Sequence, residues 1–219
     1  MKKFLACGLC AFLMSGCSFL APFSSSTPNP TTQSDYEVEV YESNARASEI
    51  PGSTYNKTLI SWVDKYTGTR VGGDCSGFIT ALNSKNKEIF FNSKELPKYF
   101  TNGRKSQAIY NYYKNKNLIA HQTPRIGDLI FFQNTLQSNK NRINNEISHI
   151  GVIREIYSDG RIKFVHNSRG RNKEDYMNLN KKNVHKNGKK IENSYIVRCG
   201  KNKTSCLTSN RFAGYGRVK

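Results

Sequence analysis

The chain has few acidic residues, no internal repeat, and no apolar run long enough to cross a membrane. Sixteen Asp and Glu residues stand against 34 Lys and Arg residues, which gives a formal charge of +18 over 219 residues. A basic chain favours anionic partners, but this charge is spread among many asparagines and no nucleic-acid motif accompanies it. We therefore attribute the charge to a compositional bias toward Lys and Asn and expect no nucleic-acid partner.

The N-terminus has the pattern of an export signal. Lys2 and Lys3 precede an apolar run from Phe4 to Met14. This run is too short to span a bilayer, because a spanning helix needs about 20 residues. A basic start, a short apolar segment and small residues are typical of a secretory signal, so we predict a signal peptide over residues 1–16.

The end of that segment, Ser15-Gly16-Cys17, resembles the bacterial lipoprotein cleavage site. The resemblance implies that Cys17 becomes the lipidated first residue of the mature protein. Ser18 then favours a lipid anchor in the outer membrane facing the periplasm; an ordinary signal peptide cleaved nearby is the alternative. Residues 17–50 are rich in Pro, Ser and Thr and predict a flexible tether, whereas residues 51–219 have the size of one domain.

The most informative stretch is Gly72-Gly73-Asp74-Cys75-Ser76-Gly77-Phe78. Apolar residues follow Cys75 at helical spacing, and Asp74 is a favoured N-cap residue, so Cys75 is predicted to begin a helix. The positive end of the helix dipole lowers the pKa of a thiol placed there and favours the nucleophilic thiolate. The alternative is a free cysteine buried as a small apolar residue.

The number of cysteines in the mature chain predicts that Cys75 is unpaired. Two cysteines leave with the signal peptide and Cys17 would carry lipid, which leaves Cys75, Cys199 and Cys206. In an oxidising compartment Cys199 and Cys206 are able to pair, and this pairing is our hypothesis. Cys75 is then the odd thiol, and a catalytic role would explain it.

Helical patterns precede strand patterns along the domain, which indicates an α+β fold. Helices are predicted over residues 54–67, from Cys75, and over 106–114, and strands over 129–132, 147–157 and 161–166. The last two strands form a hairpin that turns at residues 158–160. It places His149 near the start of one strand and His166 at the end of the other, where a bulge or an offset turn would bring them into register. A thiolate nucleophile needs such an imidazole as its base.

Four motifs in this order resemble the NlpC/P60 family of bacterial cysteine peptidases: Asp74 to Phe78, Pro124 to Phe132, Ser148 to Val152, and Phe164 to His166. The resemblance implies a papain-like α+β core in which N-terminal helices, with the nucleophile at a helix start, pack on an antiparallel β-sheet. It implies that Cys75 is the nucleophile, His149 the base and His166 the orienting third residue, with Asn167 as the alternative third residue. It also implies an oxyanion hole built partly from the Cys75 backbone N–H.

Family resemblance implies cleavage of peptidoglycan stem peptides, most often between γ-D-glutamyl and the diamino acid, through a thioester. The alternatives are an N-acetylmuramoyl-L-alanine amidase and a non-catalytic or partner-gated wall-binding lipoprotein. Candidate substrate-binding residues are Arg70, Asp74, Ser76 and Asn167. We expect no metal and no cofactor. A Lys/Asn-rich insert at about 169–193 is predicted to interrupt the sheet.

Overall fold

The computed structural model describes residues 56–218, except 102, 137, 139–144 and 200–202. The predicted signal peptide, the lipidation site at Cys17 and the tether therefore lie outside the described residues. Within the described ranges, no helix combines the length and the apolar character that a membrane crossing requires.

Helices come first along the described chain, as the apolar spacing predicted. They are α1 (Lys57–Tyr66), α2 (Cys75–Lys85) and α3 (Lys105–Asn115), with a short 3-10 turn at Leu96–Tyr99 between the last two. Helix α1 begins three residues later than predicted because the side chain of Asn56 caps it, accepting the Leu59 N–H at 2.9 Å.

The strands follow and build one six-stranded antiparallel sheet in the order β1-β8-β2-β3-β4-β5. Their bounds are β1 (Ile119–Ala120), β2 (Leu129–Gln133), β3 (Ile147–Ile156), β4 (Arg161–Ser168), β5 (Arg171–Asn178) and β8 (Phe212–Gly216). Strands β6 (Lys186–Asn187) and β7 (Lys190–Ile191) form a separate small hairpin, and a four-residue helix α4 (Thr208–Arg211) precedes β8.

Side chains of the central strands alternate between two apolar clusters, one on each face of the sheet. Leu129 and Phe131 of β2 belong to the cluster that the three helices cover. Ile130 and Phe132 belong to a second cluster, which Met177 and Leu179 of the insert help to cover. Helices packed on an antiparallel sheet confirm the predicted α+β, papain-like class.

The insert at 169–193 does not interrupt the sheet, contrary to our expectation. Its first half forms β5, which pairs with β4 over its whole length, from Arg161 opposite Asn178 to Ser168 opposite Arg171. The segment Arg171–Asn178 is mostly polar, so its hydrophobic pattern does not show a strand. The first half of the insert is therefore the edge strand of the sheet beside the histidine hairpin.

Candidate active site

Cys75 is the first residue of α2, and Asp74 caps that helix as predicted. The Asp74 Oδ1 atom accepts the Gly77 N–H at 2.6 Å and the Ser76 hydroxyl at 2.9 Å. Asp74 and Ser76, which were predicted to bind substrate, are thus bonded to each other, and Asp74 is also bonded to the backbone of the first helical turn. Their first role in the structure is to hold Cys75 at the helix N-terminus.

The thiol of Cys75 is less acidic than the helix-dipole argument predicted. Burial, and next the negative charge of Asp74, raise its pKa to about 11. Backbone N–H groups of Ile150, Ser76 and Cys75 hydrogen-bond to the sulfur and lower the pKa, but they do not offset the loss of water. The expected thiolate is therefore wrong for the resting site, and the thiol needs a base when it reacts.

His149 and His166 lie side by side, with ring centroids 4.8 Å apart and 2.5 Å between His149 Nε2 and His166 Nδ1. The register of β3 and β4 shifts between Ile153 and Glu155, so a bulge is present, but with Val152 opposite Val165 it does not bring the two histidines into register as predicted. The rings meet diagonally across the two strands. Gly151 lies against His166, since a Cβ atom at Gly151 would be 3.2 Å from the His166 Cβ. The lack of a side chain at this position lets the two strands bring the imidazoles together.

His166 has a second partner that sequence reasoning missed. Its Nε2 atom lies 2.8 Å from Asp175 Oδ2, and Lys173 Nζ lies 2.7 Å from the same oxygen. Both Lys173 and Asp175 come from β5, inside the insert whose strand character the sequence did not indicate. Asn167, the alternative third residue, instead donates to Asn172 Oδ1 at 2.9 Å and accepts the Gly170 N–H at 3.1 Å.

The protein environment keeps both histidines of the pair neutral. Burial lowers the pKa of His149 well below 6.5, and the neighbouring His166 lowers it further. Burial also lowers the pKa of His166, although the bond to Asp175 opposes this effect. The Asp175 carboxylate is ionised, because its bonds to His166 and Lys173 outweigh its burial and bring its pKa to about 2.

A cavity of about 1330 Å³ brings most of the predicted residues together, and we call it the Cys75 cavity. Asp74, Cys75, Ser76, His149 and Asn167 line it. His166 is buried behind His149, with 2% of its side chain exposed. Arg70 is exposed and is not among the described residues that line the cavity. Its proposed contact with substrate stays a prediction.

The cavity wall is basic and is completed by the later part of the insert. Five cationic side chains line it, whereas Asp74 is its one acidic residue among those described; the cations are Arg104, Lys105, Arg169, Lys173 and Arg198. His185 and Tyr195, whose ring centroids are 4.4 Å apart with the rings tilted by 46°, form part of the same wall. The described residues contain no group of three His, Cys, Asp or Glu side chains suited to a metal ion.

A disulfide joins Cys199 and Cys206, the pair that the cysteine count suggested. Cys75 is left as the free cysteine of the described residues, and it is partly exposed. The thiol that begins α2 is thus the one available for chemistry in the described part of the chain.

A cysteine at a helix start that shares a cavity with a histidine of an antiparallel sheet, with a further polar residue bonded to that histidine, is the arrangement of papain-like cysteine hydrolases. The sequence model of the NlpC/P60 family matches residues 63–192, which is more than half of the chain and contains the Cys75 motif and both histidines. The chain belongs to the NlpC/P60 family. Neither the curated proteins nor the solved structures contain a significant match. Membership implies a cysteine peptidase or hydrolase of the cell wall, with peptidoglycan as its substrate.

Proposed function

We propose that this protein is a cysteine endopeptidase that cleaves amide bonds in the stem peptides of peptidoglycan, with the γ-D-glutamyl–diamino acid bond as its target. The observation that carries the proposal is that Cys75, at the start of α2, and His149, backed by His166, line one open cavity. The family match supports the same class of substrate.

In the proposed reaction, His149 takes the proton of Cys75 while the sulfur attacks the amide carbonyl carbon. The thiol pKa of about 11 and the lowered pKa of His149 favour a neutral resting pair, so proton transfer accompanies the attack. In this proposal the Cys75 backbone N–H, at the helix start, donates to the oxyanion that forms. His149 then gives its proton to the leaving amine as the tetrahedral intermediate collapses to a thioester.

Water completes the cycle. His149 removes a proton from a water molecule as its oxygen attacks the thioester carbonyl. The C–S bond breaks, the new carboxylic acid leaves, and the proton on His149 returns to the sulfur. No metal, oxidant or cofactor takes part in this sequence of steps.

The basic wall of the Cys75 cavity suits a substrate that carries carboxylates. Lys105, at the start of α3, and Arg169, in the turn between β4 and β5, both line the cavity. Stem peptides carry free carboxylates at the γ-linked D-glutamyl residue and at the diamino acid. Opposite charge in a partly enclosed cavity favours binding of such peptides over neutral ones.

We also propose that Cys17 carries the lipid that holds this domain at the outer membrane, facing the periplasm. Support comes from the sequence of residues 1–18, since these residues lie outside those that the structure describes. Such an anchor would place the basic cavity next to peptidoglycan, and the predicted tether over residues 17–50 would give it reach.

The test is to incubate the full chain, purified in detergent, with peptidoglycan and to identify the products by mass spectrometry. Wild type should release fragments with a new terminus at the γ-D-glutamyl–diamino acid bond, and Cys75→Ala should release none. His121→Ala is the matched control, because His121 is exposed and lies outside the cavity. Cleavage at the N-acetylmuramoyl-L-alanine bond would replace the endopeptidase by an amidase. No Cys75-dependent product would refute hydrolysis.

A further inference from the structure

Three polar side chains follow one another across neighbouring strands of the sheet. His149 lies on β3, His166 on β4 and Asp175 on β5, and each contacts the next at 2.5 Å and 2.8 Å. The register places Lys173 opposite His166 and Phe164 opposite Asp175. Asp175 and Lys173 are two residues apart in a strand, so their side chains point to the same face of the sheet as His166.

Hydrogen-bond chemistry assigns the protons along this row. An ionised carboxylate only accepts, so His166 Nε2 must carry the proton that Asp175 Oδ2 receives. A neutral imidazole then has a lone pair on Nδ1, and His149 Nε2 must donate to it. The remaining nitrogen of His149, Nδ1, is left without a proton and is the ring nitrogen that can accept one.

We infer that Asp175 is a positioning residue of the proposed hydrolase: it selects the tautomer of His166 and, through it, the tautomer that lets His149 Nδ1 accept the thiol proton. The inference rests on the proposed function and adds a residue to the row of Cys75, His149 and His166. Without Asp175, His166 Nδ1 is free to carry a proton, and His149 would then present Nδ1–H to the thiol instead of a lone pair.

The surroundings of Asp175 support this role. Its side chain is 13% exposed and that of His166 is 2% exposed, so water does not readily replace the bond between them. Lys173 lies 2.7 Å from the same carboxylate oxygen and helps to keep it ionised. The negative charge of Asp175 also favours the imidazolium that His149 becomes when it holds the thiol proton.

Variants of Asp175 test the inference by kinetics. Asp175→Ala in the full chain should lower kcat about 10- to 100-fold, the loss expected for one charge-assisted hydrogen bond, with KM unchanged. Asp175→Asn keeps an acceptor oxygen without the charge, so its kcat should lie between those of wild type and Asp175→Ala. Glu174→Gln removes the neighbouring negative charge from the same strand and should retain wild-type kcat. Wild-type kcat in Asp175→Ala would overturn the inference.

Nitrogen-15 NMR of the histidine rings in Cys75→Ala tests the tautomers without substrate and without any change at Asp175. We expect the ring proton on Nε2 of both His149 and His166 in this variant. A proton on Nδ1 of either ring would overturn the inference even if the enzyme is active. If the Nε2 protons are found but no Cys75-dependent cleavage occurs in wild type, the tautomer assignment stands and the proposed hydrolysis fails.

Discussion

Gly72 and Gly73, in the loop before Cys75, differ in the space around them although both have positive φ values, of 89° and 74°. A Cβ atom at Gly72 would lie 2.2 Å from the Phe78 backbone nitrogen, well under the 3.0 Å that Cβ atoms keep from other heavy atoms. A Cβ atom at Gly73 would meet nothing within 4 Å. An alanine at Gly73 therefore tests the cost of the backbone conformation alone, whereas an alanine at Gly72 adds a steric overlap to that cost.

Both alanine variants incur the cost of a left-handed residue, about 1–2 kcal/mol. Gly72→Ala must also move the loop away from the backbone of α2, and overpacking of this kind adds about 1–3 kcal/mol. We expect a loss in the free energy of unfolding of about 1–2 kcal/mol for Gly73→Ala and about 2–5 kcal/mol for Gly72→Ala. For a domain of this size, the corresponding decreases in Tm are about 2–8 °C and about 4–20 °C.

Urea and thermal unfolding measure this difference, and peptidoglycan cleavage gives a second reading. Gly72→Ala should also lower kcat, because displacement of the α2 start by about 1 Å moves Cys75 away from His149, and such a shift costs about 100-fold. Gly73→Ala should retain more activity. Equal losses of stability in the two variants would refute the argument, since they would show that contact between Gly72 and α2 contributes nothing beyond the backbone conformation.

Three further predictions concern charge and titration in the same site. In the proposed mechanism neutral His149 is the base, so activity should fall only as pH drops through its lowered pKa; a pH–rate profile with its acid limb at or above 6.5 would contradict this. Titration of the unfolded mature, lipidated protein with a thiol reagent, without reductant, should find one free thiol, Cys75, and more would contradict the Cys199–Cys206 disulfide. Lys105→Glu should slow cleavage of stem peptides with a free D-glutamyl α-carboxylate more than cleavage of their amidated forms, and equal slowing would exclude a charge contact.

Sequence patterns predicted the parts of the fold that depend on neighbouring residues, such as a helix cap, helical spacing and a hairpin turn. The helix start at Cys75 follows from the Asp74 cap and from apolar residues at helical spacing, and the structure has both. The hairpin of β3 and β4 follows from alternation and a turn, but its bulge leaves the two histidines out of register, contrary to the prediction.

Two features of the site depend on contacts that no local pattern shows. Strand β5 carries mostly polar residues, so neither its pairing with β4 nor the contact between Asp175 and His166 has a hydrophobic signal. The pKa of Cys75 depends on burial, which the fold determines, and burial raises this pKa although the sequence indicated that it would be lowered.

Strand β5 contacts both the loop before Cys75 and the histidine pair, which gives the first half of the insert a structural role. The backbone of buried Asn172 exchanges 2.8 Å hydrogen bonds with Gly68 and Thr69, and its side chain donates to the Val71 carbonyl at 3.1 Å. These bonds hold the loop that leads to Cys75. Three residues further along the strand, Asp175 holds His166. One strand therefore positions both the loop that leads to Cys75 and the side chain of His166. A shift in the register of β5 against β4 would misplace both at once.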